Sequence, residues 1–439
     1  MANIELSDKY TDYPEQLLQD LTLTELFSID GKKLKDFQTA ALNKRIQALK
    51  NKIPYLSDKI GEFFDPITDY NELEGLLTDP DVFKSYDNEW IQRSNFQQMT
   101  RWLDYYTSFD LSDIDASGCR SINDWCQLLA GQVGLEICHS TGTSGKLSFV
   151  PRSEKENKHG ANLFMYWLQG FVDEKDLSFE KGIDSGVTYF FPHARKMFRG
   201  QPHKIGYFED HYTSKPSKTL IEEFSPDEHL LTALMRKATQ NGESLEQFKT
   251  HPCYDSVINF QENQPQMLAT WVDDLIENHQ GERIVMFSFW AMLYDLACTL
   301  KKKNCNNGFF RQDSVIFLPG GFKGHDLPDG WMEETLEVLG LTIENLQFIY
   351  GGSEIVSQMN QCGEGVYHIP PLLIPFLLDP DSGKVLPRKG EQTGQFATYD
   401  LAIESYWPGI VFGDKVTINW NGGCRCGRKG PFLYDISRY

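Results

Sequence analysis

Basic residues are in short supply: 42 Lys and Arg stand against 62 Asp and Glu, a formal net charge of −20 over 439 residues. Nucleic-acid binding sets cations against phosphates, so this balance argues against nucleic acid as a partner and reads as a solubility feature. Long apolar runs are missing too. No stretch approaches the roughly 20 apolar residues of a membrane span. The start, Met1-Ala-Asn-Ile-Glu-Leu-Ser-Asp8, has neither the basic flank nor the apolar run of a secretory signal. Nine cysteines, an odd number with no export signal, point to reduced thiols and a cytoplasmic setting. Internal repeats and low-complexity tracts are absent, which leaves a chain long enough for one large domain with subdomains.

What is present is ordinary globular composition, 40% hydrophobic and 24% charged. Leu34, Phe37, Ala41, Ile46 and Leu49 keep a helical spacing, and 86–109 is a second, aromatic-rich helical region. Val187–Phe191, Ile284–Phe289, Val315–Leu318 and Gln347–Tyr350 are short apolar runs of buried-strand type, separated in part by helical patterns near 266–279 and 331–339. That alternation predicts a layered α/β fold. From Ile369 onward short strands and turns take over, at Gln395–Tyr399, Gly409–Phe412 and Lys415–Asn419. The expected organisation is a helical region over 1–110, an α/β core over 111–368 and a β-rich subdomain over 369–439. The last residues, Phe-Leu-Tyr-Asp-Ile-Ser-Arg, read as a strand cut off in mid-pattern, so a further C-terminal piece is expected beyond Tyr439.

The stretch richest in chemistry is His139-Ser-Thr-Gly-Thr-Ser-Gly-Lys146. Gly142 and Gly145 allow tight turns that bring N–H groups to phosphate oxygens; Ser140, Thr141, Thr143 and Ser144 add hydroxyls and Lys146 a charge. The spacing is not that of a Walker loop. Downstream, Gly320-Gly321-Phe-Lys323 and Tyr350-Gly351-Gly-Ser353-Glu354 each follow a predicted strand, where α/β proteins place ligands. Asp414 follows a third strand, and Arg438 lies at the end. His139 reads as a packing or hydrogen-bonding residue beside the loop. The aromatics of 189–191 and 287–290 read as strand core that could line an acyl pocket.

The order of these elements resembles the adenylate-forming superfamily of acyl-CoA synthetases, adenylation domains and firefly-type luciferases. Within it the chain is most similar to phenylacetate-CoA ligases and the acyl-protein synthetases of bacterial luminescence. Ser140–Lys146 matches the family phosphate loop and Tyr350–Glu354 its Tyr-Gly-x-Thr-Glu element, with Ser353 in place of Thr. His368-Ile-Pro-Pro371, Leu378-Asp-Pro380 and Tyr406-Trp-Pro-Gly-Ile410 look like counterparts in the acyl-protein synthetases. Phe412 and Gly413 depart from the Arg-Thr-Gly common in relatives.

The resemblance implies the large N-terminal domain of an adenylate-forming enzyme, with the small C-terminal domain apparently absent. Loop 140–146 would wrap the β- and γ-phosphates of ATP, Gly320 and Gly321 would approach adenine, and Tyr350 would stack on it. Ser353 would contact the α-phosphate, Glu354 would hold Mg²⁺, and Asp414 would bind the ribose. Gly351 and Arg438 complete the expected nucleotide contacts, and Glu354, Ser353 and Lys146 are the expected catalytic residues. The implied reaction makes an acyl adenylate and pyrophosphate from a carboxylic acid, for transfer to coenzyme A or a protein thiol. Rival readings are a non-catalytic adenylate-binding or scaffold protein and a kinase, which would release ADP.

Five residues separate Cys362 from His368, and Cys424-Arg-Cys426 follows about sixty residues on. Three thiolates and an imidazole suit tetrahedral Zn²⁺, although a Cys-x-Cys pair has other readings. Similar Cys and His segments in phenylacetate-CoA-ligase-like relatives favour structural zinc. The alternative makes Cys424 or Cys426 an acyl acceptor activated by Arg425 and Arg428.

Overall fold

The structure, a computed structural model, describes residues 6, 8–61, 65–140, 142, 145–169, 186–196, 201–320 and 327–438. The chain is α/β and its contacts divide it into two units. The first comprises 1–140, 148–167 and 351–439, the second 141–147 and 168–350. Among the described residues no helix is long and apolar enough to cross a membrane.

The first unit contains a hairpin of β1 (Leu135–His139) and β2 (Phe149–Ser153), antiparallel, with Ile137 opposite Pro151 and Cys138 opposite Val150. In the second unit, β3 (Thr188–Lys196), β4 (Lys218–Glu223), β5 (Ile284–Phe287), β6 (Val315–Pro319) and β7 (Leu346–Tyr350) form a parallel array in the order β7-β6-β5-β3-β4. Strands buried on both faces of a parallel sheet need unbroken apolar sequence, and β5 is buried at all four positions. Helices Tyr254–Asn278, Trp290–Lys302 and Trp331–Leu339 supply Leu268, Trp271, Leu275, Leu293, Leu296 and Leu339 to the core around Ile284, Met286 and Ile316. The first of these helices starts well before the expected residue 266 and runs through Pro265.

The other strands of the first unit pair antiparallel: β8 (Met359–Gln361), β9 (Tyr367–His368), β10 (Leu373–Leu378), β11 (Glu391–Asp400), β12 (Gly409–Asn419) and β13 (Phe432–Arg438), in the order β10-β11-β12-β13-β9-β8. Two strands expected at 409–412 and 415–419 are one continuous strand. The register shift against β11, where Gln395 faces Lys415 and Ala397 faces Val411, absorbs Gly413-Asp414 where a break was expected. Asp414 therefore sits inside β12, not after it.

The helix expected from Leu34 starts earlier, at Gly31, because the Asp30 carboxylate caps it by accepting from Lys32 N at 3.0 Å and Lys33 N at 3.3 Å. It buries Phe37, Ala41, Leu42, Ile46 and Leu49, and Gln38 donates Nε2 to Pro371 O at 2.8 Å and Leu373 O at 3.0 Å. Gln38 thus ties the helix to the start of β10, and the buried Arg45 ties it further along through Nη2 to Leu401 O at 2.9 Å.

Candidate active site

In the first unit the Gly351–Glu354 segment leaves no room for side chains. A Cβ at Gly352 would lie 2.5 Å from Glu354 Oε2 and 3.0 Å from Phe412 Cε1; one at Gly351 would lie 3.0 Å from Gln358 Cγ. The glycines thus let the Glu354 carboxylate fold back over its own turn. Burial pushes the Glu354 carboxyl above its ordinary range, opposed by hydrogen bonds, including one from Ser353, and by the charges of Lys84 and Arg152. A carboxylate in that condition is short of positive charge.

Two residues hold the backbone beneath it. Arg152, on β2, donates Nη2 to Ser353 O at 2.7 Å and Nη1 to the Tyr406 hydroxyl at 2.6 Å. Tyr406 in turn donates to Glu354 O at 2.5 Å. The carbonyls of two consecutive motif residues are therefore fixed by one buried Arg–Tyr pair. Arg152 is 3% exposed and Tyr406 1%, so neither is free to drift.

The pair is itself anchored. Glu156 accepts from Glu404 N at 2.6 Å and Ser405 N at 2.8 Å, while Thr107 Oγ1 and Ser108 N both donate to Ser405 O at 2.8 Å. Just past the motif, the buried Asp400 carboxylate accepts from Val356 N, Ser357 N and Ser357 Oγ, each at 2.8 Å, and from Ala402 N at 3.0 Å. Of these supports only Tyr406 lay in a segment singled out from the sequence. The available signal for Arg152 was a lone cation inside the apolar run Phe149-Val-Pro-Arg-Ser.

Ser140 is also in this unit. Its Oγ accepts from Ser148 N at 2.9 Å, and its N donates to Ser148 O at 3.2 Å, extending the β1–β2 pairing by one step. Asp414 and Arg438 are cross-strand partners on β12 and β13, with Arg438 Nε 3.6 Å from Asp414 Oδ1. Arg438 is 86% exposed, which leaves the pair weakly held.

In the second unit, Gly142 and Gly145 lie against the helix Pro226–Gln240. Gly142 has φ +65°, and a Cβ there would meet Leu147 Cδ2 at 2.8 Å and Ala233 Cβ at 2.9 Å. Gly145, at φ +79°, lies under Lys237 and donates its N–H to Gly142 O at 2.7 Å. Both positions require glycine. Lys146 is half-buried. Gly320 (φ +69°) and Tyr350 each follow the registered pair Pro319–Ile349, so both stand at the carboxyl edge of β6 and β7. Thr141, Thr143, Ser144, Gly321, Phe322 and Lys323 lie outside the described residues.

The four Cys and His residues come together in the first unit, with one donor atom from each of Cys362, His368, Cys424 and Cys426 within 4.8 Å of the others. Cys362 Sγ is 3.8 Å from Cys424 Sγ and Cys426 Sγ is 3.1 Å from His368 Nε2. A tetrahedral zinc with Zn–S near 2.3 Å sets sulfurs about 3.8 Å apart, so the donors fit that ion in kind and spacing. Burial, with Arg428 nearby, holds the His368 imidazole down at about 3, in the neutral form a metal requires. Burial pushes the Cys424 thiol up to about 12.

No family model matches the chain, and no curated protein matches it by sequence. Solved structures do. An open conformation of 2-hydroxyisobutyryl-CoA ligase with 2-HIB-AMP and CoA is similar over 91% of this chain and 74% of its own, at 14% identity and TM-score 0.48. A long-chain-fatty-acid-CoA ligase from Archaeoglobus fulgidus (69% and 50%, 11% identity, TM-score 0.37) and ATP-bound MatB from Rhodopseudomonas palustris (68% and 46%, 14% identity, TM-score 0.34) are similar over about half of their own length.

Proposed function

We propose that this protein activates a carboxylic acid with ATP, forming an acyl adenylate and releasing pyrophosphate, for transfer to a thiol of coenzyme A or of a protein cysteine. The observation that carries the reading is Glu354: a carboxyl raised by burial, folded over Gly352, on a backbone clamped at two consecutive carbonyls. Such a group is prepared for a divalent cation, and Mg²⁺ bound there would supply the charge that offsets phosphate and carboxylate repulsion. Ser353 would donate to the α-phosphate.

In this reading the N–H groups and hydroxyls of Ser140, Thr141, Gly142, Thr143, Ser144 and Gly145, with the Lys146 ammonium, bind the β- and γ-phosphates. Tyr350 stacks on adenine, which Gly320, Gly321 and Gly351 approach through backbone. Asp414 accepts from the ribose hydroxyls and Arg438 adds charge beside it. Cys362, His368, Cys424 and Cys426 hold a structural zinc that joins β9 and the turn before β13 and takes no part in the reaction.

Exchange of labelled pyrophosphate into ATP, dependent on added carboxylic acid, tests the reading. We expect exchange with one class among fatty, aryl and amino acids, and its loss in Glu354→Gln. Acid-dependent release of ADP instead of AMP, or no exchange despite measured ATP binding across the panel, would overturn it.

A further inference from the structure

Beside the helix Gly31–Leu49, within the first unit, lies a cavity of about 620 Å³ that the proposed chemistry does not use. Its described lining carries four cations, Lys35, Arg388, Arg428 and Lys429, and no Asp or Glu. In a chain with 62 acids against 42 bases that concentration runs against composition. The remaining wall is largely apolar, with Phe27, Leu34, Tyr70, Pro371 and Trp420 prominent.

Arg388 is the centre of the arrangement. Its guanidinium carbon lies 4.1 Å from the Tyr70 ring centroid, 4.7 Å from Phe376 and 5.2 Å from Trp420. Nη2 donates to Pro375 O, but the buried Nε has no hydrogen-bond partner, and neither has Trp420 Nε1. No carboxylate among the described residues pairs with it; Asp69 instead sits 3.7 Å from Lys35, at the solvent edge. Arg428 also packs on aromatic faces, its guanidinium carbon 5.5 Å from the Phe27 ring and 5.6 Å from Trp167, with buried Nη1 unpaired, while its charge is felt by Cys426, Cys362 and Cys424 on its other side. Aromatic faces attract a cation but leave its charge and N–H groups unanswered. Burial accordingly lowers the Arg388 guanidinium to about 10. Pockets that combine apolar walls with a few convergent polar groups are the ones that take small ligands.

We propose that this cavity binds a small organic oxyanion with an apolar body, its head at Arg388 and its body against Leu34, Phe27 and Pro371. The head is answered by charge from Arg428 and Lys429 as well, while the rings of Tyr70 and Trp420 hold the Arg388 guanidinium in place. The inference stands apart from the proposed adenylation and survives its failure.

Calorimetric titration of the full chain with octyl phosphate, and in a parallel arm with octanoate, tests it. Inorganic phosphate and octanol serve as half-probes. Saturable one-to-one binding by either amphiphile, at least tenfold tighter than both half-probes, is expected, and the tighter amphiphile names the head. Arg388→Gln should weaken binding at least tenfold. Because that change could also unsettle the aromatic stack, exposed Lys429→Glu and cavity-wall Leu34→Asp provide variants of a second kind, each expected to weaken binding severalfold with an unshifted melt. Glu354→Gln should leave it unchanged. Absence of amphiphile binding, half-probes binding equally well, full affinity in all three cavity variants, or a loss in Glu354→Gln would overturn the proposal.

Discussion

Arg152 Nη2 lies 2.7 Å from the carbonyl oxygen of Ser353, a residue 201 positions away, and the same guanidinium reaches Tyr406 through Nη1. The bond fixes a main-chain atom one residue before Glu354, while the Tyr406 hydroxyl fixes the next carbonyl. The support thus falls on backbone carbonyls, while the Ser353 side chain hydrogen-bonds the Glu354 carboxyl.

That division predicts the behaviour of Tyr406→Phe. The ring stays and the hydroxyl goes, leaving Glu354 O and Arg152 Nη1 unpaired in a buried setting. Stability to denaturant should fall by about 1–3 kcal/mol, the cost of stranding buried polar groups. Pyrophosphate exchange should fall further, by about a hundredfold, because a small displacement of reacting groups is expensive. Lost stability with unchanged exchange would reduce the clamp to a structural device.

Much of the architecture was legible because it rests on local pattern. β5 and β6 are apolar runs, and a strand buried on both faces needs nothing else. The meeting of Cys362, His368, Cys424 and Cys426 could be anticipated from residue type. Arg152 and Asp400 could not be placed, since each acts across a separation that no periodicity encodes: Arg152 on Ser353, Asp400 on Val356 and Ser357. The continuity of β12 was hidden for a different reason. Gly413-Asp414 has turn chemistry, and only the pairing with β11 shows that a bulge absorbs it. Arg388 escaped notice because a cation near a turn is ordinary until its aromatic neighbours are known.

Gly142→Ala tests whether the glycine loop is built or incidental. A side chain at φ +65° is strained, at about 1–2 kcal/mol, and the added methyl would press on Leu147 and Ala233. ATP affinity should drop about tenfold, equivalent to 1.4 kcal/mol. Gly118→Ala, where no atom lies within 4 Å of the new Cβ, is the control and should bind ATP as the parent does. Equal affinity in both variants would remove the loop from nucleotide binding.

The raised carboxyl of Glu354 sets a direction for pH dependence. Protons and Mg²⁺ compete for the same oxygens, so low Mg²⁺ should leave the acid limb of exchange above an ordinary glutamate value of about 4.3. Raising Mg²⁺ should move that limb to lower pH. A limb that ignores Mg²⁺ concentration would mean that the titrating group is not Glu354 or that Glu354 does not hold the ion.

Zinc should bind the metal-free chain one to one and release close to three protons at pH 7, because three of the four donors are thiols. Cys424, pushed up to about 12, is fully protonated before binding, whereas His368, held down at about 3, has no proton to lose. The histidine also gives the metal-free form a pH signature. Its folded-state value lies below the unfolded value near 6.5, so the unfolded chain takes up a proton first as the solution is acidified. Stability present above about 6.5 should therefore drain away between that pH and 3, and His368→Ala should flatten this window. Calorimetry in two buffers of different ionisation enthalpy counts the protons, and denaturant melts across pH follow the window. Release near one proton would point to a single reactive thiol, in keeping with Cys424 or Cys426 as an acyl acceptor, and would remove the zinc assignment.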